Sequence, residues 1–339
     1  MAEVAGSAEP GRVATGEEPA NGGAGGLRAR LAPSLNPVFR KAILGATHNR
    51  AVASGVRRYG MRLGADRFVA GETLDACIPA LRELNGRGLL TNTTLLGEGV
   101  RDEATARGVA EAYVGILDRI AAEGVRTNVA LKPTHLGLDL GEDLAHDGLA
   151  RVVGHAGRLG NFVRIDMEES ARVAPTLRLY RRLRDAGHDN VGTVLQSALY
   201  RTERDLEELL PLRPNLRLVK GAYLEPPTVA YPKKADVDRA YVRLAERMLR
   251  DGGYTALATH DDRIVDHLVG FVERHGIGHD RFEFQMLYGI RPAYQRELAA
   301  RGYRVRVATP FGPDWYFYLM RRLAERPANA LFFLRGLRR

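Results

Sequence analysis

The chain has a single cysteine, Cys77, which rules out an internal disulfide framework. Chains without such bridges suit a reducing compartment. No apolar run approaches the ~18 residues that cross a bilayer. The N-terminus lacks a basic region followed by an apolar core, the pattern of a secretory signal. These absences predict a cytoplasmic protein, or one peripheral to the inner membrane.

Lysine is nearly as scarce. Five lysines (Lys41, Lys132, Lys220, Lys233, Lys234) stand against 45 arginines. The arginines are interleaved with Asp and Glu instead of forming one patch, so a net charge of +9 gives no nucleic-acid footprint. Where arginine is the default surface cation, a lysine at the end of an apolar strand stands out. The sequence contains no Walker-type loop and no nucleophile elbow, and no cluster with zinc-ligand spacing.

Residues 1–30 are rich in Gly, Ala, Glu and Pro and lack the apolar content that offsets ordering entropy, so they read as a disordered tail. Residues 31–67 read as a basic helical segment able to cap one end of a barrel, with Val56 and Met61 among its apolar positions. From residue 68 to 339 apolar strands alternate with amphipathic helices. The spacing predicts strands at 89–96, 127–132, 161–166, 191–196, 216–220, 254–259, 281–285 and 303–308. A helix at 72–86 precedes the first; others follow at 101–123, 144–158, 170–186, 202–209, 235–251, 262–275 and 291–301, with a terminal helix from Trp315 to Pro327. Eight strand and helix units in about 270 residues are the signature of a (β/α)8 barrel, with an open doubly wound α/β sheet as the alternative.

In a barrel every strand's C-terminal end faces one mouth. The polar residues at those ends are Lys132, Asp166 beside Met167, Gln196, Lys220 before Gly221, Thr259 with His260, and Gln285. Arg217 lies further back in its strand, where packing does not call for a guanidinium. Lys132 and Asp166 end consecutive strands and read as a pair, either a salt bridge closing the mouth or a catalytic couple. Singly, Gln196 and Thr259 read as loop hydrogen bonds, His260 as a helix-start residue, and Gly221 as a place where backbone approaches a ligand closely or simply as a turn. The repetition of polar groups at one topological position is not covered by those separate readings.

The terminal helix adds a polar stripe. Tyr318, Arg321, Arg322 and Glu325 fall at i, i+3, i+4 and i+7, on one face. Two guanidinium forks beside a carboxylate can clamp both ends of a zwitterion such as an amino acid; a surface pair of Arg321 with Glu325 is the plainer reading.

Five stretches together resemble the proline dehydrogenase family of monofunctional bacterial type. They are Arg217-Leu-Val-Lys-Gly-Ala-Tyr223, Val163-Arg-Ile-Asp-Met-Glu-Glu169, Val194-Leu-Gln-Ser-Ala-Leu-Tyr-Arg-Thr202, Phe282-Glu-Phe-Gln285 and Tyr318-Leu-Met-Arg-Arg-Leu-Ala-Glu-Arg326. The resemblance runs from about Phe68 to Arg335. It implies an FAD enzyme that oxidises L-proline to Δ1-pyrroline-5-carboxylate and passes electrons to a quinone, with a functional link to pyrroline-5-carboxylate dehydrogenase. By matching position, Arg321 and Arg322 would hold the substrate carboxylate, with Glu325 and Tyr318 near its amine and ring. Lys132 would reach the substrate, supported by Asp166. The flavin would lie on Met167, Gln196, Lys220, Gly221, Ala222, Thr259, His260 and Gln285, with Arg217 near its redox-active nitrogen and Tyr223 and Leu287 lining the pocket.

Two positions depart from the family pattern. Ala308 stands where a tyrosine usually packs against the substrate ring, which admits hydroxyproline or another substituted or larger cyclic imino acid. Thr94 stands where an aspartate is usual, which puts the contacts of the first strand in question. From another class, Lys132 or Lys220 at a strand end also suits a Schiff-base aldolase, and a non-catalytic amino-acid binding protein is a third reading.

Overall fold

The computed structural model describes residues 54, 56, 60, 61 and 64–325, with the backbone alone for 321 and 323–325. The expected tail over 1–30, most of the helical segment over 31–67, and residues 326–339 lie outside the described residues.

Helix α1 (Leu74–Gly86) leads into β1 (Leu90–Leu95), followed by α2 (Glu103–Glu123), β2 (Thr127–Leu131), α3 (Glu142–Arg158), β3 (Val163–Ile165), α4 (Ser170–Asp185), β4 (Val191–Gln196) and α5 (Thr202–Leu209). The second half runs β5 (Asn215–Val219), α6 (Lys234–Asp251), β6 (Tyr254–Ala258), α7 (Asp262–Arg274), β7 (Phe282–Leu287), α8 (Pro292–Ala300), β8 (Val305–Phe311) and α9 (Trp315–Glu325). The strands pair in chain order, all parallel, and β8 returns to β1 from Leu90↔Arg306 to Leu95↔Phe311. The barrel is closed, which excludes the open sheet.

Local chemistry sets the boundaries. Thr73 caps α1 by accepting from the Ala76 amide at 3.2 Å, and Asp102 caps α2 by accepting from the Thr105 amide at 2.8 Å. Gly124 ends α2 in the left-handed conformation, with φ of 61°. The largest departure from the expected boundaries is at the end of the eighth strand. Pro310 was expected to lie beyond the eighth strand, yet β8 continues to Phe311. Proline removes one ladder donor, but the Pro310 carbonyl is still used, accepting from the Ala70 amide at 2.8 Å. Short 3-10 turns at Ala65–Arg67, Pro133–Leu136 and Leu210–Leu212 carried no periodic signal.

The barrel's two faces have opposite chemistry. Alternate residues such as Val129, Leu131, Val163, Ile165, Leu216, Leu218, Phe282 and Phe284 point outward into a continuous apolar layer beneath the helices. The inward set includes Asn92, Arg164, Arg217, Glu283 and Arg306, where barrels of this type usually stack branched aliphatics. Arg164 donates to the Thr193 carbonyl at 2.9 Å and the Asn215 carbonyl at 2.7 Å. Burial, and then the charge of Arg217, lowers its pKa to about 9. Arg306 donates to Glu283 at 2.7 Å and to the Thr91 carbonyl at 2.8 Å. Burial pushes the Glu283 carboxyl up, but Arg306 overrides it and the net shift is downward.

The terminal helix is seated by the segment before α1. Trp315, Tyr316, Leu319 and Met320 pack with Ala65, Phe68 and Val69, and Val56 and Met61 lie against the same cluster. The Trp315 indole donates to Glu72 at 2.7 Å. This packing fixes which side of α9 faces the mouth.

Glu283→Ala would strand the Arg306 guanidinium inside the barrel. The expected loss is about 3–5 kcal/mol, read as a lower urea midpoint with an unchanged slope. Glu283→Gln, which keeps an acceptor, should lose less.

Candidate active site

The strand C-termini open onto one cavity of about 1060 Å³. That matches the upper end of small-ligand pockets, roughly 300–1,000 Å³. Every expected site residue whose position is fully described lines it: Lys132, Asp166, Met167, Gln196, Arg217, Lys220, Gly221, Ala222, Tyr223, Thr259, His260, Gln285, Leu287, Tyr318 and Arg322. Arg321 and Glu325 belong to α9, and their side chains lie outside the described residues. The two departures, Thr94 and Ala308, also line the cavity.

Arg217 is the centre of the floor. Its Nη1 donates to Asp166 at 2.7 Å and its Nη2 to the Asn92 side chain at 3.1 Å. Asn92 in turn donates to the Asn128 side chain at 2.5 Å, which fixes its amide with the oxygen toward Arg217. The buried Arg217 Nε has no hydrogen-bond partner among the described residues.

The expected Lys132–Asp166 pair does not form. Asp166 is taken by Arg217, and Lys132 instead pairs with Glu98 from the loop after β1. The reason is geometric. Arg217 projects into the barrel directly at Asp166, while Lys132 sits on the rim, where its long stem reaches the neighbouring loop.

The residues expected to hold a cofactor are held individually. Gln196 donates its amide to the Glu168 carbonyl at 2.9 Å, and burial raises the Glu168 carboxyl above the usual range. Gly221 has φ of 115°, a conformation L side chains rarely adopt, and a Cβ there would come within 3.4 Å of the Gln196 Oε1. His260 Nε2 accepts from the Leu287 amide at 2.9 Å, so a neutral ring carries its proton on Nδ1. Lys220 bridges Asp238 at 2.6 Å and Asp261 at 3.3 Å. Burial opposes ionisation of both carboxyls, yet Lys220 and Lys234 hold them below their ordinary range. Gln285 donates to Glu283 at 2.5 Å. On α9 the Arg322 guanidinium lies 5.3 Å from the Tyr318 ring centroid.

Among the lining residues that the sequence did not single out are Asn92 and Arg291. Asn92 had a signal, since it is an amide at an inward position of an apolar strand. Arg291 had none. It donates to the His260 carbonyl at 2.8 Å and to Asp262 at 3.2 Å from a left-handed backbone, φ 53°. Among the described residues no group of three or more His, Cys, Asp or Glu could hold a metal ion.

A closed parallel barrel with one guanidinium-floored cavity at its strand C-termini has the architecture of a (β/α)8 enzyme. The chain belongs to the proline dehydrogenase family, whose model, described as "Proline dehydrogenase", matches residues 77–335. It is 45% identical to the proline dehydrogenase of Deinococcus radiodurans over 307 residues, covering 89% of this chain and 99% of that protein. It is 43% identical to proline dehydrogenase 1 of Bacillus subtilis strain 168 over 300 residues, covering 88% of this chain and 99% of that protein. The fold is also similar to proline utilization A from Bdellovibrio bacteriovorus inactivated by N-propargylglycine. There the TM-score is 0.74 at 24% identity, over 80% of this chain and 34% of the longer one.

His135, in the turn after β2, is 8% exposed. Burial, and then the charge of Lys132, lowers its pKa from 6.5 to about 4. The folded chain therefore binds fewer protons here than the unfolded chain between those values, so stability falls as pH drops from 6.5 towards 4. The expected loss is roughly 3 kcal/mol. His135→Gln should flatten the dependence of the urea midpoint on pH in that window.

Proposed function

We propose that this protein oxidises L-proline to Δ1-pyrroline-5-carboxylate with FAD bound across the barrel mouth, and that the electrons leave to a quinone. The observation that carries the reading is the inward Arg217, oriented by Asp166 and Asn92, with a buried Nε that has no hydrogen-bond partner among the described residues. The residues fit a flavin. The positive-φ Gly221 lets backbone approach a ligand closely, and the cavity exceeds what a small imino acid needs. Met167, Gln196, Lys220, Gly221, Ala222, Thr259, His260 and Gln285 would hold it.

Bound FAD supplies an acceptor for the hydride that leaves the ring carbon beside nitrogen. Arg217 would stabilise the negative charge arriving on the ring system. Arg321 and Arg322 would hold the substrate carboxylate bidentately, with Tyr318 and Glu325 near the amine and ring and Tyr223 and Leu287 closing the pocket. Lys132 would add positive charge from the second strand. A cationic pocket disfavours the ammonium form, and hydride loss requires the neutral amine.

Among the described residues no helix is long and apolar enough to cross a membrane, so the protein would meet a quinone dissolved in the bilayer at the surface. A pyrroline-5-carboxylate dehydrogenase would consume the product.

Lys132 is ion-paired with Glu98, and Lys220 with Asp238 and Asp261, whereas a Schiff-base lysine must present a neutral amine. The purified protein should therefore show a flavin absorption band that L-proline bleaches without oxygen. A colourless protein trapped by borohydride with a carbonyl substrate would instead establish the aldolase, and a colourless protein that only binds proline a binding function.

A second reading, for hydroxyproline or a larger cyclic imino acid, rests on Ala308, which lines the cavity beside Leu287 and Asn92. On that reading Ala308→Tyr should lower kcat/KM for trans-4-hydroxy-L-proline and pipecolate at least about ten-fold relative to L-proline, since filling space of this size changes discrimination by ~1–3 kcal/mol. Equal effects on all three substrates would remove Ala308 as a determinant.

A further inference from the structure

Helix α4 lacks what α1 and α2 have. Its N-cap residue, Glu169, makes no capping hydrogen bond with its own side chain. The first helical residue, Ser170, is served from elsewhere. Its amide donates to Glu225 Oε1 at 2.7 Å, and its hydroxyl donates to Glu225 Oε2 at 2.6 Å. Both oxygens of one carboxylate are thus spent on one residue, 55 positions away in sequence, at a helix end whose dipole favours negative charge.

The two segments joined in this way both line the cavity. Immediately before Ser170 lie Asp166, which orients Arg217, and Met167, as well as Glu168, whose carbonyl holds the Gln196 amide. Immediately before Glu225 lie Lys220, Gly221, Ala222 and Tyr223. Beyond Glu225 the loop is fastened by backbone: the Tyr231 amide donates to the Ala198 carbonyl at 2.8 Å, and the Tyr200 amide to the Val229 carbonyl at 3.0 Å. At its start the Ala198 amide donates to the Lys220 carbonyl at 2.9 Å. Between these anchors Gly221, Ala222 and Tyr223 line the cavity, and Leu224, next to Glu225, is 70% exposed. Burial of apolar surface does not hold that residue down.

We propose that Glu225 is a positioning residue: by clasping Ser170 it fixes the Gly221–Tyr223 stretch against the Asp166–Met167 segment, setting the width of the mouth that receives the cofactor. Glu225 itself does not line the cavity. The inference rests on the flavin reading above.

The test compares full-length wild type with Glu225→Ala, Glu225→Gln and Ser170→Ala. Three quantities are read: the FAD dissociation constant, the split between KM and kcat at saturating FAD, and amide hydrogen exchange over residues 221–225. In Glu225→Ala the FAD dissociation constant should rise about ten-fold and KM for L-proline several-fold, while kcat stays within two-fold. Exchange should quicken at 221–225 and not in the barrel strands. Glu225→Gln, which keeps an acceptor oxygen, should fall between. Ser170→Ala, which removes one of the two bonds and leaves the helix intact, should weaken FAD two- to three-fold, so the idea stays testable if the alanine variant at 225 does not fold.

Wild-type FAD affinity in both Glu225→Ala and Ser170→Ala would overturn the proposal, as would a loss of global stability with FAD affinity unchanged. If wild type binds no flavin, the functional reading fails by itself. Exchange then still decides: faster exchange confined to 221–225 in Glu225→Ala supports the clasp, and unchanged exchange overturns it.

Discussion

A guanidinium buried in a barrel has to be paired and aimed, and the pairing of Arg217 with Asp166 and Asn92 is the constraint on which the rest of this structure turns. An isolated charge at this depth would be expelled or neutralised. The inward faces of β1 and β2 supply the amides, and the residue just after β3 the carboxylate, that hold it. Below it a second polar layer of Arg164, Glu283 and Arg306 is hydrogen-bonded within itself and to the Asn215, Thr91 and Thr193 carbonyls. The interior is therefore polar, and the folding energy that a barrel of this type normally draws from its inside must come from the apolar layer between strands and helices.

That division explains how the site is assembled. Each strand contributes one or two groups at the same height, so no local motif contains the site, and a change in one strand's register would turn its inward residue outward. The cavity is completed from outside the barrel by α9, which the Phe68 and Trp315 cluster fixes in place, and by the loop after β5. Rigid strands carry the electrostatics and the packed helix and loop carry the shape.

This arrangement also determines what was legible in the sequence. The strands were readable because their outward faces are apolar, and their ends because Lys132, Asp166, Gln196, Thr259 and Gln285 interrupt apolar runs at one topological position. Arg217 betrayed itself as a charge that packing does not require. Partner choice was not readable. Which of Lys132 and Arg217 reaches Asp166 depends on projection into a closed barrel, which one-dimensional spacing does not encode. Arg291 was invisible for the same reason: its role comes from a left-handed turn that meets the His260 carbonyl across two strands. Pro310 misled because a helix or strand breaker is judged by its missing amide, while here its carbonyl does the bonding.

The central claim is that the guanidinium held by Asp166 and Asn92 faces the ring system of a bound flavin. The midpoint potential of flavin bound to wild type and to Arg217→Met tests it most directly. The account predicts a fall of at least about 30 mV in the variant, a ten-fold weaker stabilisation of the two-electron reduced form, with FAD still bound. An unchanged potential in a folded, flavin-loaded Arg217→Met protein would contradict it.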